Sequence, residues 1–341
     1  MTTPTIGAIR WDAWYPTVST DYGYSEALTF GDLDLHPYSP VHWTFPNSYT
    51  VTPQPGAQAI IDNEITVGAA NGVNYWAYLM YNTSPGPNYA AGLMNAWNFH
   101  QSSSIKAAMP WVAMTQLGLM GSTGSYTANV DTLVSYFQQT NYFTVLAGRP
   151  LLYIYWDTAA FATYWGSTLA NVAAMITALR AACTTASVAN PYIVVVYNIN
   201  TTIYTGIGAD AISSYIPQVS LTPLMTYAGY DTVVRAYWAS MLASGAPMVP
   251  NASSGFTDIG RKRRPVPYQV TTQRPRIGLS GTVARPTIAE LKAHIAAAQA
   301  FVVANPAPCA SNTILLYSWN EHSEGVGIGP EIGTPSGLAL V

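Results

Sequence analysis

Thr5-Ile-Gly-Ala-Ile-Arg-Trp-Asp-Ala-Trp-Tyr15 decides between the two folds open to this chain. Its apolar first half reads as a strand buried on both faces, as a parallel sheet requires. In a doubly wound sheet, the turn after such a first strand carries glycines that wrap a pyrophosphate. Here the strand runs instead into Arg10, Trp11, Asp12, Trp14 and Tyr15, which are too bulky to wrap one. A (β/α)8 barrel remains, with its functional face at the C-terminal ends of the strands.

The same rhythm of a short apolar run, a loop and a helical stretch recurs to the end of the chain. Further runs lie at residues 73–79, 107–114, 150–155, 192–197, 211–215, 247–250 and 313–318. Between them, residues 57–70 place Ile60, Ile61, Ile65 and Val67 at helical spacing and stop at Asn71-Gly72. Residues 169–188 and 231–242 carry similar stripes. Pro286-Thr287 opens a last helix, with Thr287 and Glu290 spaced as a capping box. The expected fold is α/β: a single (β/α)8 TIM barrel over residues 1–341. Elaborated loops on its C-terminal face are expected near residues 16–55 and 251–285.

Composition narrows the function. Of the 341 residues, 49% are hydrophobic, which supplies a large core, and a net charge of -3 offers no global field for nucleic acid. The basic run Arg261-Lys-Arg-Arg264 reads first as a solvated loop. Cys183 and Cys309 leave one disulfide possible. The five histidines form no metal-binding pattern, so neither metal nor cofactor is implied. No run approaches the roughly 18 apolar residues of a membrane span. The first residues lack the basic and apolar regions of a signal peptide, so a cytoplasmic or a virion- or surface-associated location is expected. Charged residues make up 9% of the chain and lysines number three, which suggests a surface buried in a larger assembly or facing sugars.

Such scarcity makes Trp319-Asn-Glu-His-Ser-Glu-Gly325 informative. Glu321 and Glu324 follow a strand run at what would be the barrel mouth, where buried acids need partners or a task. The other strand ends supply Trp11, Asp12, Trp14 and Tyr15; Tyr78, Tyr81 and Asn82; Thr115 and Gln116; Tyr155, Trp156 and Asp157. Asn198 and Asn200, Ser214 and Tyr215, Asn251 and Ser253, and Trp319 and Asn320 follow on the later strands. Rings, amides and carboxylates together suit a sugar, whose C–H faces stack on aromatics while its hydroxyls need donors and acceptors. Each has a plainer reading. A single ring can simply be packing, Asp12 and Asp157 can cap helices or pair with barrel arginines, and the glutamates can form an ion pair or favour a helix start.

Trp319-Asn320-Glu321-x-x-Glu324-Gly325, followed by Ile328-x-Pro330, resembles the strand-eight motif of glycoside hydrolase family 99 and the WbsX-like proteins. Residues 6–16, 61–78 and 148–155 are similar to the family's first, second and fourth strand regions. Residues 255–261 resemble its loop after strand seven, with Arg261 matching. His322 stands where the family has an aromatic residue, and Phe256, Thr257 and Gly260 stand where it favours Trp, Asp and Pro. The resemblance implies a metal-independent, retaining endo-α-mannosidase-like enzyme acting through the sugar 2-hydroxyl. Glu321 would be the base toward that hydroxyl and Glu324 the general acid/base. Two adjacent carboxylates in a low-dielectric mouth do push their pKa values apart. Trp11, Asp12, Tyr15, Tyr81, Tyr155, Asp157, Tyr215, Arg261, Asn320 and His322 are the expected substrate contacts. The expected partner is an oligosaccharide or polysaccharide, such as a bacterial surface glycan. A non-catalytic glycan-binding module of a viral tail or surface appendage is the second reading, and a role in polysaccharide biosynthesis the third.

Overall fold

The computed structural model describes residues 2–12, 41–44, 48–51, 57–80, 89–217, 225–256, 283–320 and 327–329. Strands β1 (Thr5–Arg10), β2 (Tyr75–Met80), β3 (Trp111–Gln116), β4 (Arg149–Tyr155), β5 (Tyr192–Val196), β6 (Ala211–Ser213), β7 (Asn251–Ser253) and β8 (Thr313–Tyr317) form one sheet. Every neighbouring pair is parallel, in the order β7-β8-β1-β2-β3-β4-β5-β6. The open edges meet just ahead of β7. Ile212 bridges Met248, and the Val249 N–H donates to the Ile212 carbonyl at 2.9 Å. The sheet is therefore a nearly closed (β/α)8 barrel, the form the sequence predicts.

Two strands start four residues later than expected. Strand three was expected from residue 107, but Lys106–Ala108 form a 3-10 turn and pairing begins after Pro110. Strand seven was expected at 247–250. That segment makes the contact with β6, whereas pairing with β8 falls on Asn251–Ser253. Pro247 and Pro250 have no N–H to donate, which limits the ladder there. Because β7 is short, side chains complete its hydrogen bonding. Tyr227 Oη donates to the Ser253 carbonyl at 2.6 Å, Trp238 Nε1 donates to the Asn251 carbonyl at 2.7 Å, and His294 Nε2 accepts from the Ser253 N–H at 3.2 Å.

The helices are α1 (Ala57–Ala70), α2 (Tyr89–Ser102), α3 (Thr127–Phe137), α4 (Thr158–Trp165), α5 (Leu169–Thr185), α6 (Thr201–Ile207), α7 (Tyr227–Ala243) and α8 (Ile288–Ala304). The bounds of α1 are those expected, and α8 starts on the capping box of Thr287 and Glu290. Helices α2, α3, α4 and α6 carry weaker signals. The last two are short and open on polar caps, Asp157 and Asn200, that read from sequence as strand ends. Of the expected loops, 16–55 contains an antiparallel hairpin, Val41–Thr44 with Ser48–Val51; its other residues and 257–282 lie outside the described ones. Cys183 and Cys309 are buried free thiols. Among the described residues no helix is long and apolar enough to cross a membrane.

Alternation along the strands fixes what fills the barrel. Tyr75 Oη lies 2.8 Å from Tyr153 Oη and 3.0 Å from Thr313 Oγ1. These residues belong to β2, β4 and β8, which are not neighbours, so they meet inside the barrel. Gly7 on β1 makes the space, since a Cβ there would stand 2.0 Å from Tyr75 Cζ. The ring cannot swing aside while its hydroxyl is held on two sides. Gly7→Ala is therefore expected to cost about 3 kcal/mol in urea unfolding, the upper range for overpacking. Adding Tyr75→Leu should return part of that loss, and no return would mean the clash lies elsewhere.

Candidate active site

The strand register carries the inward face up to the mouth. Gln116 pairs with Tyr155, Tyr155 with Val196, Val196 with Ser213, and Ser253 with Tyr317. Partners on parallel strands point the same way, so these residues share the inner face at the C-terminal rim with Tyr215, two residues past Ser213. Three tyrosine rings then touch in series. Tyr155 meets Tyr215 edge-on at 5.3 Å and 83°, and Tyr215 meets Tyr317 at 5.2 Å and 57°. Tyr155 and Tyr215 are partly exposed, while Tyr317 is buried beneath them. Asn251 Nδ2 donates to the Ser214 and Tyr215 carbonyls at 2.7 and 2.8 Å, which fixes the turn that presents Tyr215. Tyr317 was not expected among the contacts and is legible only once β8's inward parity is known, whereas Asn251, read from sequence as a strand-end amide, braces this turn.

Beside this ring series stands the stem of the strand-eight turn. The Trp319 N–H donates to the Ile9 carbonyl at 2.7 Å, so the chain still follows β1 past the end of β8. The Trp319 carbonyl accepts from the N–H groups of Ile328 and Gly329 at 3.0 and 2.9 Å. Residues on both sides of 321–326 are thus held at one point. The Trp319 ring is buried against Trp76, 5.3 Å between centroids, and comes close enough to Gly68 and Gly329 that a Cβ at either would stand within 3.3 Å of it. Phe256 and Val283, which flank residues 257–282, are joined in the same manner, the Val283 N–H donating to the Phe256 carbonyl at 2.8 Å.

Arg10 closes the stem from behind. It alternates away from the lumen and lies wholly buried between β1, β2 and α1. Its Nε donates to Asp12 Oδ2 at 2.7 Å, and its Nη2 donates to Glu64 Oε2 on α1 at 2.5 Å. The guanidinium sits 4.3 Å from the centre of Trp76 and 5.5 Å from that of Tyr78. Asp12 Oδ1 accepts from Asn320 Nδ2 at 2.7 Å, and Asn320 Oδ1 accepts from the Trp11 N–H at 2.9 Å. Burial pushes both carboxyls above their ordinary range. Arg10 opposes this for each, and the charge of Asp12 adds to the rise at Glu64. Two acids share one cation here.

Of the expected contacts, Tyr155 and Tyr215 stand at the rim. Trp11, Asp12 and Asn320 are buried, and the hydrogen bonds of Asn320 to the other two tie β1 to β8: Asp12 takes the arginine-partner role. Asp157 caps α4, its Oδ1 accepting from the Ala159 and Ala160 N–H groups at 2.8 and 3.2 Å. Tyr15, Tyr81, Arg261, Glu321, His322 and Glu324 lie outside the described residues. Glu64 went unremarked, although its sequence signal is plain. It is an acid on the buried stripe of Ile61, Ile65 and Gly68.

No family model matches the chain, and no curated protein matches it. Solved structures do. A glycoside hydrolase-like protein superposes with a TM-score of 0.58 at 14% identity, over 96% of this chain and 87% of its own. The family 99 endo-α-mannosidase of Bacteroides thetaiotaomicron, bound to bis-tris propane, gives 0.53 at 17% identity over 96% and 87%. A second structure of that enzyme gives 0.51 at 17% identity over 96% and 88%. What the chain shares with these glycoside hydrolases is the fold: a (β/α)8 barrel like that of the family 99 endo-α-mannosidase.

Proposed function

We propose that the chain is a retaining glycoside hydrolase that cleaves an α-linked, mannose-like glycan with Glu321 and Glu324. The observation that carries this is the pinned stem of the strand-eight turn, held beside the partly exposed rings of Tyr155 and Tyr215. Such rings suit the C–H face of a sugar, and a fixed stem suits acids that must meet one bond. Glu321 takes the proton of the sugar 2-hydroxyl as that oxygen attacks the anomeric carbon from behind. Glu324 gives its proton to the departing glycosidic oxygen, leaving a 1,2-anhydro sugar. Glu324 then takes a proton from water, which opens the ring at the anomeric carbon, and Glu321 returns its proton to the 2-oxygen. Two inversions give net retention. Back-side attack requires the 2-oxygen to lie opposite the leaving group, as in an α-mannoside. Trp11, Tyr15, Tyr81, Tyr155, Asp157, Tyr215, Arg261 and His322 are assigned to the sugar's surroundings, and Asp12 and Asn320 to the stem behind the acids.

A panel of α-linked oligosaccharides with product analysis tests the reading, run on the wild type and on Glu321→Gln and Glu324→Gln. Each change should lower turnover by about 100-fold or more, the usual scale for losing a general acid or base. Undiminished turnover in both variants would overturn it. Binding without product by the wild type would point instead to the glycan-binding module of an assembly, the use suggested by a surface so poor in charge.

A further inference from the structure

Every hydrogen bond behind the strand-eight stem has a fixed sense. Arginine and a backbone N–H can only donate. Arg10 donates to one oxygen of Asp12, so the other is left to accept from Asn320 at 2.7 Å. The Trp11 N–H donates to the amide oxygen of Asn320 at 2.9 Å, so the amide nitrogen must face Asp12. The carboxylate of Asp12 accepts through either oxygen, but Asn320 cannot turn over without setting its NH2 against the Trp11 N–H and its oxygen against the Asp12 carboxylate. Asp12 is 0% and Asn320 2% exposed, so water does not rescue a wrong orientation. Asn320 directly precedes Glu321, and the peptide before it is tied to β1 and to Ile328 and Gly329.

We propose that Asp12, backed by Arg10, is a positioning residue: by fixing Asn320, it sets the direction in which the chain leaves β8 toward Glu321. The proposal rests on the reading that Glu321 and Glu324 perform the chemistry. Asp12 then acts without touching substrate, and its loss should appear in kcat rather than in KM, since small misplacement of reacting groups slows the step without weakening ground-state binding.

An exchange of the two side chains tests this. Asp12→Asn alone leaves a buried donor facing a donor, and Asn320→Asp alone sets carboxylate against carboxylate. Combined, they restore every link: Arg10 donates to the amide oxygen at position 12, the amide nitrogen there donates to the carboxylate at 320, and that carboxylate accepts from Trp11. The single changes are expected to lower kcat by about 10-fold or more with KM within about 2-fold, and the pair to recover most of kcat, as coupled neighbours do. Hydrogen exchange at the Ile328 and Gly329 amides gives a second readout that needs no activity. It should quicken in each single variant and slow again in the pair. Unchanged exchange in the single variants overturns the clamp. Quickened exchange with wild-type kcat in folded single variants overturns the positioning role, as does failure of the pair to recover turnover. A wild type that turns over no glycan overturns the functional reading and the catalytic half of the proposal with it, while exchange still decides the clamp.

Discussion

Arg10→Met is expected to destabilise the folded chain by about 3–5 kcal/mol, the range for removing one partner of a buried ion pair. Methionine fills much of the same volume, so the loss is electrostatic rather than a cavity effect. Asp12 and Glu64 would then face each other with no cation, inside a layer walled by Trp76, Tyr78 and Trp319. The sign of the pH dependence follows from their titration. Both carboxyls already sit above 3.8 and 4.5, pushed up by burial and restrained mainly by Arg10. Without Arg10 they rise further. A carboxyl raised on folding contributes stability that is full below its unfolded pKa and is lost as pH rises through the folded one. The variant's deficit should therefore be smallest below about pH 4 and largest at neutral pH. Urea unfolding at both ends of that range measures it. Adding Glu64→Leu removes one orphaned charge and should recover part of the loss at neutral pH. A deficit below about 1 kcal/mol, the scale of an exposed pair, would show that the carboxylates find other partners.

That network also shows where the sequence stops being legible. The fold was readable because a parallel barrel writes itself in local terms: apolar runs for strands buried on both faces, and caps for helices. Residues 57–70 and the Thr287–Glu290 box carried those signals without interference. Strand seven was displaced because its partner contacts are divided, one part on β6 and one on β8, around two prolines. At the rim, Tyr155 and Tyr215 were found because they end strand runs. Asp12 was read both as a sugar contact and as a partner for a barrel arginine, and Asn320 as a sugar contact, because no local pattern says that residues 308 positions apart face each other. A hint was present in the two apolar stripes that each carry one charge, Arg10 in β1 and Glu64 in α1. Opposite charges in two adjacent buried stripes imply a pair, because an ion without a partner there is too costly. Since the described residues stop at Asn320 and resume at 327, the glutamates themselves rest on motif and on the anchored stem.

Glu324→Gln and Glu321→Gln are expected to differ in one diagnostic way. With a natural glycoside, whose leaving group is a poorly acidic alcohol, both should lose about 100- to 10,000-fold, since either a base or an acid is missing from the first step. An aryl glycoside with an acidic phenol departs without protonation, so the first step no longer needs Glu324. The Glu324→Gln variant should then release phenol in a rapid burst and stall, because no base activates the water that opens the 1,2-anhydro ring. Azide, which attacks without losing a proton, should relieve the stall and give a glycosyl azide of retained configuration. Glu321→Gln should show neither burst nor rescue with any leaving group, because the 2-hydroxyl keeps its proton. A substrate methylated on the 2-oxygen should be inert to the wild type for the same reason. A covalent glycosyl group found on either glutamate, or cleavage of the methylated substrate, would assign the nucleophile to a carboxylate instead. In that case the tyrosine series would remain the proposed seat of the sugar, but the division of labour between the two acids would be the direct-displacement one.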